Sequence, residues 1–244
     1  MKMNQDKTTR WKIPGIIYNN NPMQLQQRCQ RCGTCCKNGG PILHREDLAL
    51  VRKKIFSLHQ LVTIRKGEPA FNPFTGKIEP AHHEMIKIAG KRASWECIFY
   101  DADRSACIIH ADRPLECRLL QCWDTEKIEA AYGRDCLGRF DLVEDQDPIR
   151  DHIKRHEEKC SYAKALPLLD HLSSPAPGET SMEELTGLMQ QDLLLRDQSV
   201  SAFRLSLQQE LFYFGRPLFQ SLQHPRLRVT MTGTSLHVEL AQPV

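Results

Sequence analysis

Eight of the ten cysteines fall into two short groups, and this clustering constrains the fold more than any other feature of the sequence. The first group is Cys29-Gln-Arg-Cys32-Gly33-Thr-Cys35-Cys36. The second group holds four thiols over a short stretch of chain, namely Cys97, Cys107, Cys117 and Cys122. Thiols scattered at random would not cluster in this way, so the two groups predict sites at which several thiols act together.

The composition excludes several classes of protein. The formal net charge is +3 and 26% of the residues are charged, which does not fit a highly charged disordered chain and gives no support for nucleic-acid binding. No apolar run reaches the roughly 20 residues that span a bilayer, and the N-terminal residues lack the apolar core of a signal peptide. We therefore expect a cytoplasmic protein with no membrane or nucleic-acid partner. Disulfides are rare in that compartment, so the clustered cysteines predict metal or redox chemistry.

The first group has the spacing of a metal-binding turn. A C-x2-C turn brings two thiolates to one metal ion, and Gly33 permits the tight backbone that such a turn needs. Arg28, Arg31 and Lys37 flank the thiols and would offset the negative charge of a metal–thiolate centre. A redox dithiol and inert buried thiols are the alternatives. Because neighbouring side chains diverge, we hypothesise that Cys35 and Cys36 serve different metals, or that one of them is free.

The second group supplies four more thiols at spacings that are not diagnostic one by one. Together they suffice for a second all-thiolate site, or they complete sites that the first group begins. Arg113 and Arg118 again place cations beside the sulfurs, and Pro114 stiffens the connection between two candidate ligands. The alternative is a core that contains inert small thiols.

The two groups together resemble the CxxCxxCC cysteine-cluster family, also called YkgJ-like, which is associated with zinc or iron chelation. The first motif is similar to Cys29-x2-Cys32-Gly33-x-Cys35-Cys36, followed by the turn Gly39-Gly40-Pro41 and the acidic helix start Glu46-Asp47-Leu48. The second is similar to Cys97-x-Phe99 through Cys107 and then Arg113-Pro114-x2-Cys117-Arg118-x3-Cys122. The family usually has Tyr where this sequence has His110, which we interpret as one aromatic packing residue replacing another, with a ligand role left open.

The resemblance implies metal binding through eight ligands: Cys29, Cys32, Cys35, Cys36, Cys97, Cys107, Cys117 and Cys122. The cofactor it implies is zinc, iron or an iron–sulfur cluster. C-x2-C-Gly turns suit zinc, whereas three cysteines at two-residue spacing also suit a [4Fe–4S] cluster. We favour an iron–sulfur or iron site for the first group and leave zinc open.

Four functions remain compatible with these residues. We favour a metal-binding protein whose centres hold irregular loops together. Flagellin lysine methylases are similar in carrying this type of cysteine cluster, which admits a metal- or iron–sulfur-dependent protein-modifying enzyme without establishing one. A metal carrier or sensor is the third alternative. The fourth is an adaptor that binds a protein partner through residues 180–244.

The pattern along the chain predicts an α+β fold with a small irregular Cys-rich core and a helical C-terminal extension that ends in a β-hairpin. We divide the chain into an N-terminal arm (1–28), a Cys-cluster metal-binding domain (29–171), a Pro/Ser/Gly linker (172–180) and a C-terminal region (181–244). Apolar spacing predicts a helix over 46–58, strands over 85–89 and 95–100, and a helix over 148–165. The Pro/Gly/Asn-rich residues 66–80 are predicted to form a loop.

Two further cysteines and an aromatic segment lie outside the matched motifs. His152, His156 and Cys160 recur every four residues, which predicts either an accessory metal site or an exposed face of one helix. Cys136 is predicted to be an ordinary small thiol. The aromatic residues 212–219 are predicted to pack against the C-terminal helix or to bind a partner.

Overall fold

A computed structural model describes residues 29–91, 94–172, 179–225, 227–232 and 235–240. The Cys-rich part of the chain forms short elements. Its strands pair as antiparallel two-stranded ribbons: β1 (Leu61–Ile64) with β4 (Met85–Ile88), β2 (Pro69–Asn72) with β3 (Lys77–Pro80), and β5 (Tyr100–Asp101) with β6 (Ala106–Cys107). Its helices are α1 (Thr34–Lys37), α2 (Leu48–Arg52), α3 (Leu115–Leu119) and α4 (Glu126–Ala131), with 3-10 turns at Arg45–Asp47, Leu58–Gln60, His110–Asp112 and Arg139–Asp141.

Longer helices and a terminal hairpin follow. The helices are α5 (Ile149–Lys159), α6 (Tyr162–His171), α7 (Glu179–Phe203), α8 (Leu207–Phe214) and α9 (Leu218–Ser221). Strands β7 (Leu227–Thr232) and β8 (Ser235–Leu240) pair antiparallel as the predicted hairpin. The mixed α+β fold with a helical C-terminal part is thereby confirmed. Within the described residues, no helix combines the length and the apolarity needed to cross a membrane.

Two apolar cores hold these elements. In the first, buried residues of β4 and the Cys97–Tyr100 segment pack with Phe212, Tyr213 and Phe214 of α8. In the second, α6, α7, α9 and β8 bury residues that include Leu169, Met189 and Leu218. The aromatic segment at 212–219 thus contributes Phe212, Tyr213 and Phe214 to the first core and Leu218 to the second, while partner binding through it stays a prediction.

An ion-pair network joins the two cores; it comprises Arg65, Glu84, Arg139, His156, Glu157, Asp192 and Arg196. The guanidinium of Arg139, which is 1% exposed, donates to Glu84, to Glu157 at 3.0 Å and to the Tyr213 carbonyl at 2.8 Å. Arg196 donates to Asp192 at 3.0 Å and to the Phe214 and Gly215 carbonyls. Since each guanidinium bonds several elements at once, the network fixes how the helices pack on the strands.

Several predicted elements differ from those observed. The predicted loop at 66–80 contains the β2–β3 hairpin, in which Pro69 faces Pro80 at the open end, where a missing N–H is tolerated. The predicted helix at 46–58 ends at Arg52, because Lys54 adopts a left-handed φ of 56°. The predicted strand at 95–100 is a connection that reaches strand geometry only at Tyr100.

Other predicted elements match the structure, and some predicted segments lie outside the described residues. Strand β4 confirms the prediction at 85–89, and the predicted helix over 148–165 is divided at Cys160 between α5 and α6. The arm at 1–28 and residues 173–178 of the linker fall outside the described residues. The proposed domain division stays a prediction.

Candidate metal centre

A tight turn at Gly33 presents the first cysteine group. Gly33 has a φ of +77°, and a Cβ built on it would lie 2.1 Å from the Tyr100 hydroxyl oxygen. Only glycine fits there, because both the backbone conformation and the contact exclude a side chain. The short helix α1 begins directly after this glycine and carries Cys35 and Cys36. Beside it, the Cys32 sulfur lies 3.3 Å from the Thr34 hydroxyl.

Main-chain hydrogen bonds bring the second group against the first. The Cys97 N–H donates to the Cys36 carbonyl at 2.8 Å. Cys107 lies on β6, opposite Tyr100, and Tyr100 is the residue that contacts Gly33. The two cysteine groups therefore meet through one tyrosine and one backbone hydrogen bond, although they are far apart in sequence.

Buried carboxylates position the helix that carries Cys117. The Leu115 N–H at the start of α3 donates to Asp47 at 2.8 Å, and Glu116 accepts a 2.8 Å hydrogen bond from the Ile42 N–H. Both carboxylates are buried, so these bonds replace hydration that the groups lose. Sequence analysis placed Asp47 only in an acidic helix start and missed Glu116, since pairing of a carboxylate with a distant main-chain N–H leaves no local signal.

The eight thiols differ in exposure, and together they form what we call the thiol face. None of the ten cysteines is in a disulfide. Cys29, Cys32 and Cys35 are exposed; Cys97 is buried; the rest are intermediate, namely Cys36, Cys107, Cys117 and Cys122. The thiol face thus runs from solvent into the first apolar core.

The thiols perturb one another electrostatically. A hydrogen bond between the neighbouring side chains lowers the pKa of Cys35 and raises the pKa of Cys36. Burial, reinforced by Cys97, Cys35 and Cys107, raises the pKa of Cys117 strongly. Thiols held this close repel one another as thiolates, and a bound cation would remove that repulsion.

Two cations, Lys87 and Arg113, lie among the sulfurs. The buried Nε of Arg113 has no hydrogen-bond partner within the described residues; this guanidinium lies close enough to Cys35 and Cys107 to favour their thiolates. Burial lowers the pKa of Lys87, and Glu116, Cys97 and Cys117 oppose that shift. Lys87 was missed by sequence analysis, although a single charged residue inside the short apolar strand β4 was a usable signal.

The donor set fits a thiophilic metal. Thiolates select zinc, copper(I) and iron–sulfur clusters, and Lys87 and Arg113 would offset the charge that thiolates leave on such a centre. Across the described residues, no three of the eight sulfurs lie within 4.8 Å of one another. Four thiolates around one tetrahedral zinc lie about 3.8 Å apart, so these sulfurs would have to move closer together to bind a single ion. The ligands of a multi-iron cluster bind separate irons and therefore lie farther apart.

The other candidate residues lie elsewhere. Cys136 pairs by its backbone with His44 and packs on a small cluster with Ile42 and Met85. His110 is partly exposed near Arg113 and Arg31, and burial together with those cations lowers its pKa. Neither residue is a neighbour of several thiols in the described structure.

His152, His156 and Cys160 do not form the predicted set of three. His152 bonds the Ser199 hydroxyl at 2.9 Å and packs on Phe203. His156 and Cys160 are buried, which excludes an exposed helix face for them, and their ligand atoms lie within 4.8 Å of Asp192. Asp192 already accepts hydrogen bonds from His156 at 2.5 Å and from Arg196, so the Arg196 guanidinium occupies the place of a metal cation.

Residues 28–137 match the CxxCxxCC family, which is described as a "Putative zinc- or iron-chelating domain". The matched residues make up slightly less than half of the chain and contain both cysteine groups. This match confirms the family resemblance of the Cys-rich part and supports metal chelation by it. A search of the curated proteins and a search of the solved structures each found no match.

Proposed function

We propose that the protein binds zinc or iron through the eight cysteine sulfurs of the thiol face. The observation that carries this proposal is the convergence of three separate chain segments, at 29–36, 97–107 and 117–122, each of which brings thiols to one face. Convergence of that kind costs chain entropy and places titratable groups together, and both costs are offset when a metal is bound.

The chain's own residues prepare this site. Gly33 allows the turn that exposes Cys32, and the Cys36–Cys97 backbone bond holds the two cysteine groups together. Asp47 fixes the start of the helix that carries Cys117. A bound metal would supply the positive charge that lets the thiols remain as thiolates, and Lys87 and Arg113 would balance the remaining negative charge.

The spacing of the first group and the distances between sulfurs favour iron–sulfur chemistry over a single zinc ion. Cys29-x2-Cys32-x2-Cys35 has the spacing of three ligands to a [4Fe–4S] cluster. The sulfurs also lie farther apart than those of a closed tetrahedral zinc site. The predicted protein-modifying and carrier functions would both build on such a centre.

The test is anaerobic purification followed by metal and sulfide analysis and a visible spectrum. We expect iron, acid-labile sulfide and visible absorption; stoichiometric zinc in a colourless protein would overturn the iron–sulfur assignment and keep metal binding. Cys29→Ser and Cys117→Ser should each lose metal, while Cys136→Ser, which lies outside the thiol face, should keep all of it. Full metal content in the first two variants would contradict the ligand assignment.

A further inference from the structure

A cavity of about 110 Å³ lies where the β2–β3 hairpin, strand β4 and the helices α3 and α4 meet. Phe71, whose side chain is 53% exposed, is part of its lining, so the cavity is open to solvent on that side. An apolar cavity of about 150 Å³ is large enough for benzene. This cavity therefore has room for a group somewhat smaller than an aromatic ring.

Most of the cavity wall is apolar. The buried side chains of Ile42 and Met85 belong to one small cluster, against which Tyr132 packs. The Phe74 ring meets the Tyr132 ring edge-on with centroids 4.9 Å apart, an arrangement that aromatic pairs prefer. Because these contacts hold the wall in place without a ligand, the cavity is preformed, and its lining suits an apolar group.

Two opposite charges interrupt this wall. In the described part of the chain, Lys87 and Glu116 are the charged residues that line the cavity. One oxygen of Glu116, Oε2, accepts a 2.8 Å hydrogen bond from the Ile42 N–H. The other, Oε1, lies 3.5 Å from Nε2 of His44, beyond the usual length of a hydrogen bond. Since a carboxylate has about four acceptor sites, Glu116 can accept a further donor, and the Lys87 ammonium is itself a donor.

The pair of charges selects the kind of ligand. A simple carboxylate that approached Lys87 would be repelled by Glu116, and a simple amine that approached Glu116 would be repelled by Lys87. A zwitterion that carries both charges beside an apolar group has a partner for each of them. The size of the cavity limits that apolar group to a branched aliphatic side chain.

We propose that this cavity binds a free apolar α-amino acid of the size of valine or leucine. Its carboxylate lies at Lys87, its ammonium at Glu116 and its side chain against the apolar wall. Glu116 directly precedes Cys117, so the bound amino acid lies next to the thiol face. The site uses none of the eight thiols and does not rest on the proposed metal binding.

The experiment is isothermal titration calorimetry of the purified full-length protein with three probes that share a branched aliphatic group: leucine, isovalerate and isoamylamine. We expect leucine to bind and the other two to bind at least tenfold more weakly, because each lacks one charge-assisted hydrogen bond. Absence of leucine binding, or equal binding of isovalerate or isoamylamine, would overturn the proposal. Leucinamide, which lacks the carboxylate, should also bind weakly; if it bound as well as leucine, the ligand would be the first residue of a peptide instead.

A variant that fills the cavity tests the location of the site. Ala70 lines the cavity from β2, a strand that carries no cysteine, and Ala70→Leu places three more carbon atoms there. Ala202→Leu makes the same change at an exposed position of α7 and is the matched control. Leucine binding should be lost in the first variant and unchanged in the second. Undiminished binding in Ala70→Leu would place the site elsewhere and overturn the proposal.

A charge variant tests the role of Lys87 and does not depend on Ala70→Leu being folded. Lys87→Met should weaken leucine binding at least tenfold and should not weaken the binding of isoamylamine, which has no carboxylate to lose. Lys77→Met, on an exposed position of β3, is the control and should bind leucine like the wild type. Equal weakening of both probes in Lys87→Met would overturn the assigned orientation of the ligand.

Metal analysis of the same samples separates this inference from the proposed function. A protein that contains metal and does not bind leucine overturns this inference alone. A protein that binds leucine and contains no metal overturns the proposed function alone.

Discussion

The ion-pair network and the thiol face both concentrate ionisable groups, but only the network provides its own counter-charges. In the network, Arg139 and Arg196 each have carboxylate and carbonyl acceptors within 3.1 Å. On the thiol face, Lys87 and Arg113 lie beside sulfurs that repel one another as thiolates. The difference teaches that the charges of the network are paired within the chain, although Arg65 Nη1 and His156 Nδ1 have no hydrogen-bond partner among the described residues. The thiolates of the thiol face would need a bound cation to remove their mutual repulsion.

Metal withdrawal should show the largest effect. Metal binding to thiolate sites contributes on the order of 10 kcal/mol to folding in small zinc domains, so chelation under reducing conditions should unfold the thiol face. Hydrogen exchange should then speed up for amides at 32–47 and 97–122, while α5 and α7 stay protected. Equal loss of protection in both regions would show that the network depends on the metal and would remove the contrast.

A break in the network should have the next largest effect on stability and should leave metal content unchanged. Arg139→Met removes the buried partner of Glu84 and leaves Glu157 with Arg65 alone, which costs about 3–5 kcal/mol. Urea unfolding measures this loss and metal analysis checks the thiol face. Lys154→Met removes only an exposed pair with Asp151 and should change the free energy of unfolding by less than about 0.5 kcal/mol. Loss of metal in Arg139→Met would contradict the independence of the two regions.

The two regions also differ in how far the sequence predicts them. The cysteines that converge on the thiol face were identified from spacing, because ligand turns such as Cys29–Cys32 are local. The ion-pair network was not, since His156 and Asp192 or Arg65 and Glu157 are far apart in sequence and any surface charge has the same local pattern. Only the recurrence of His156 and Cys160 on one helix face pointed toward it.

Secondary structure was predictable where the periodicity was undisturbed. The terminal hairpin and β4 follow alternating apolar residues. The helix expected over 46–58 was interrupted by the left-handed Lys54, after which the Ile55 N–H bonds the Leu50 carbonyl. Apolar spacing identified the buried side of that segment but could not predict a turn that tertiary packing imposes.

The pH dependence of the free energy of unfolding should report on His156, the histidine of the ion-pair network. Burial, aided by Arg65 and Arg196 and opposed by Asp192, lowers the pKa of His156 from 6.5 to about 4. Between pH 6.5 and 4 the unfolded chain binds a proton at this histidine that the folded chain does not bind. The free energy of unfolding is therefore unaffected by this group above pH 6.5 and falls as the pH drops toward 4, by about 3 kcal/mol in all.

His156→Gln should flatten the dependence of unfolding free energy on pH in this window. His82→Gln changes an exposed histidine and should keep the wild-type slope. Denaturant unfolding at several pH values measures both. A slope that persists in His156→Gln would assign the loss to other groups, with the thiol face the first to be examined.

The smallest effect should come from a single methyl group at the turn of the thiol face. Gly33 and Gly76 have similar left-handed φ values of +77° and +70°, but a Cβ on Gly33 meets Tyr100 whereas a Cβ on Gly76 meets nothing within 4 Å. Gly76→Ala therefore measures backbone strain alone, about 1 kcal/mol. Gly33→Ala adds the collision and should cost about 2 kcal/mol. It should also weaken metal binding, because Tyr100 faces Cys107 across β5–β6. Equal costs in urea unfolding, with unchanged metal affinity, would show that the Gly33–Tyr100 contact does not hold the two cysteine groups together.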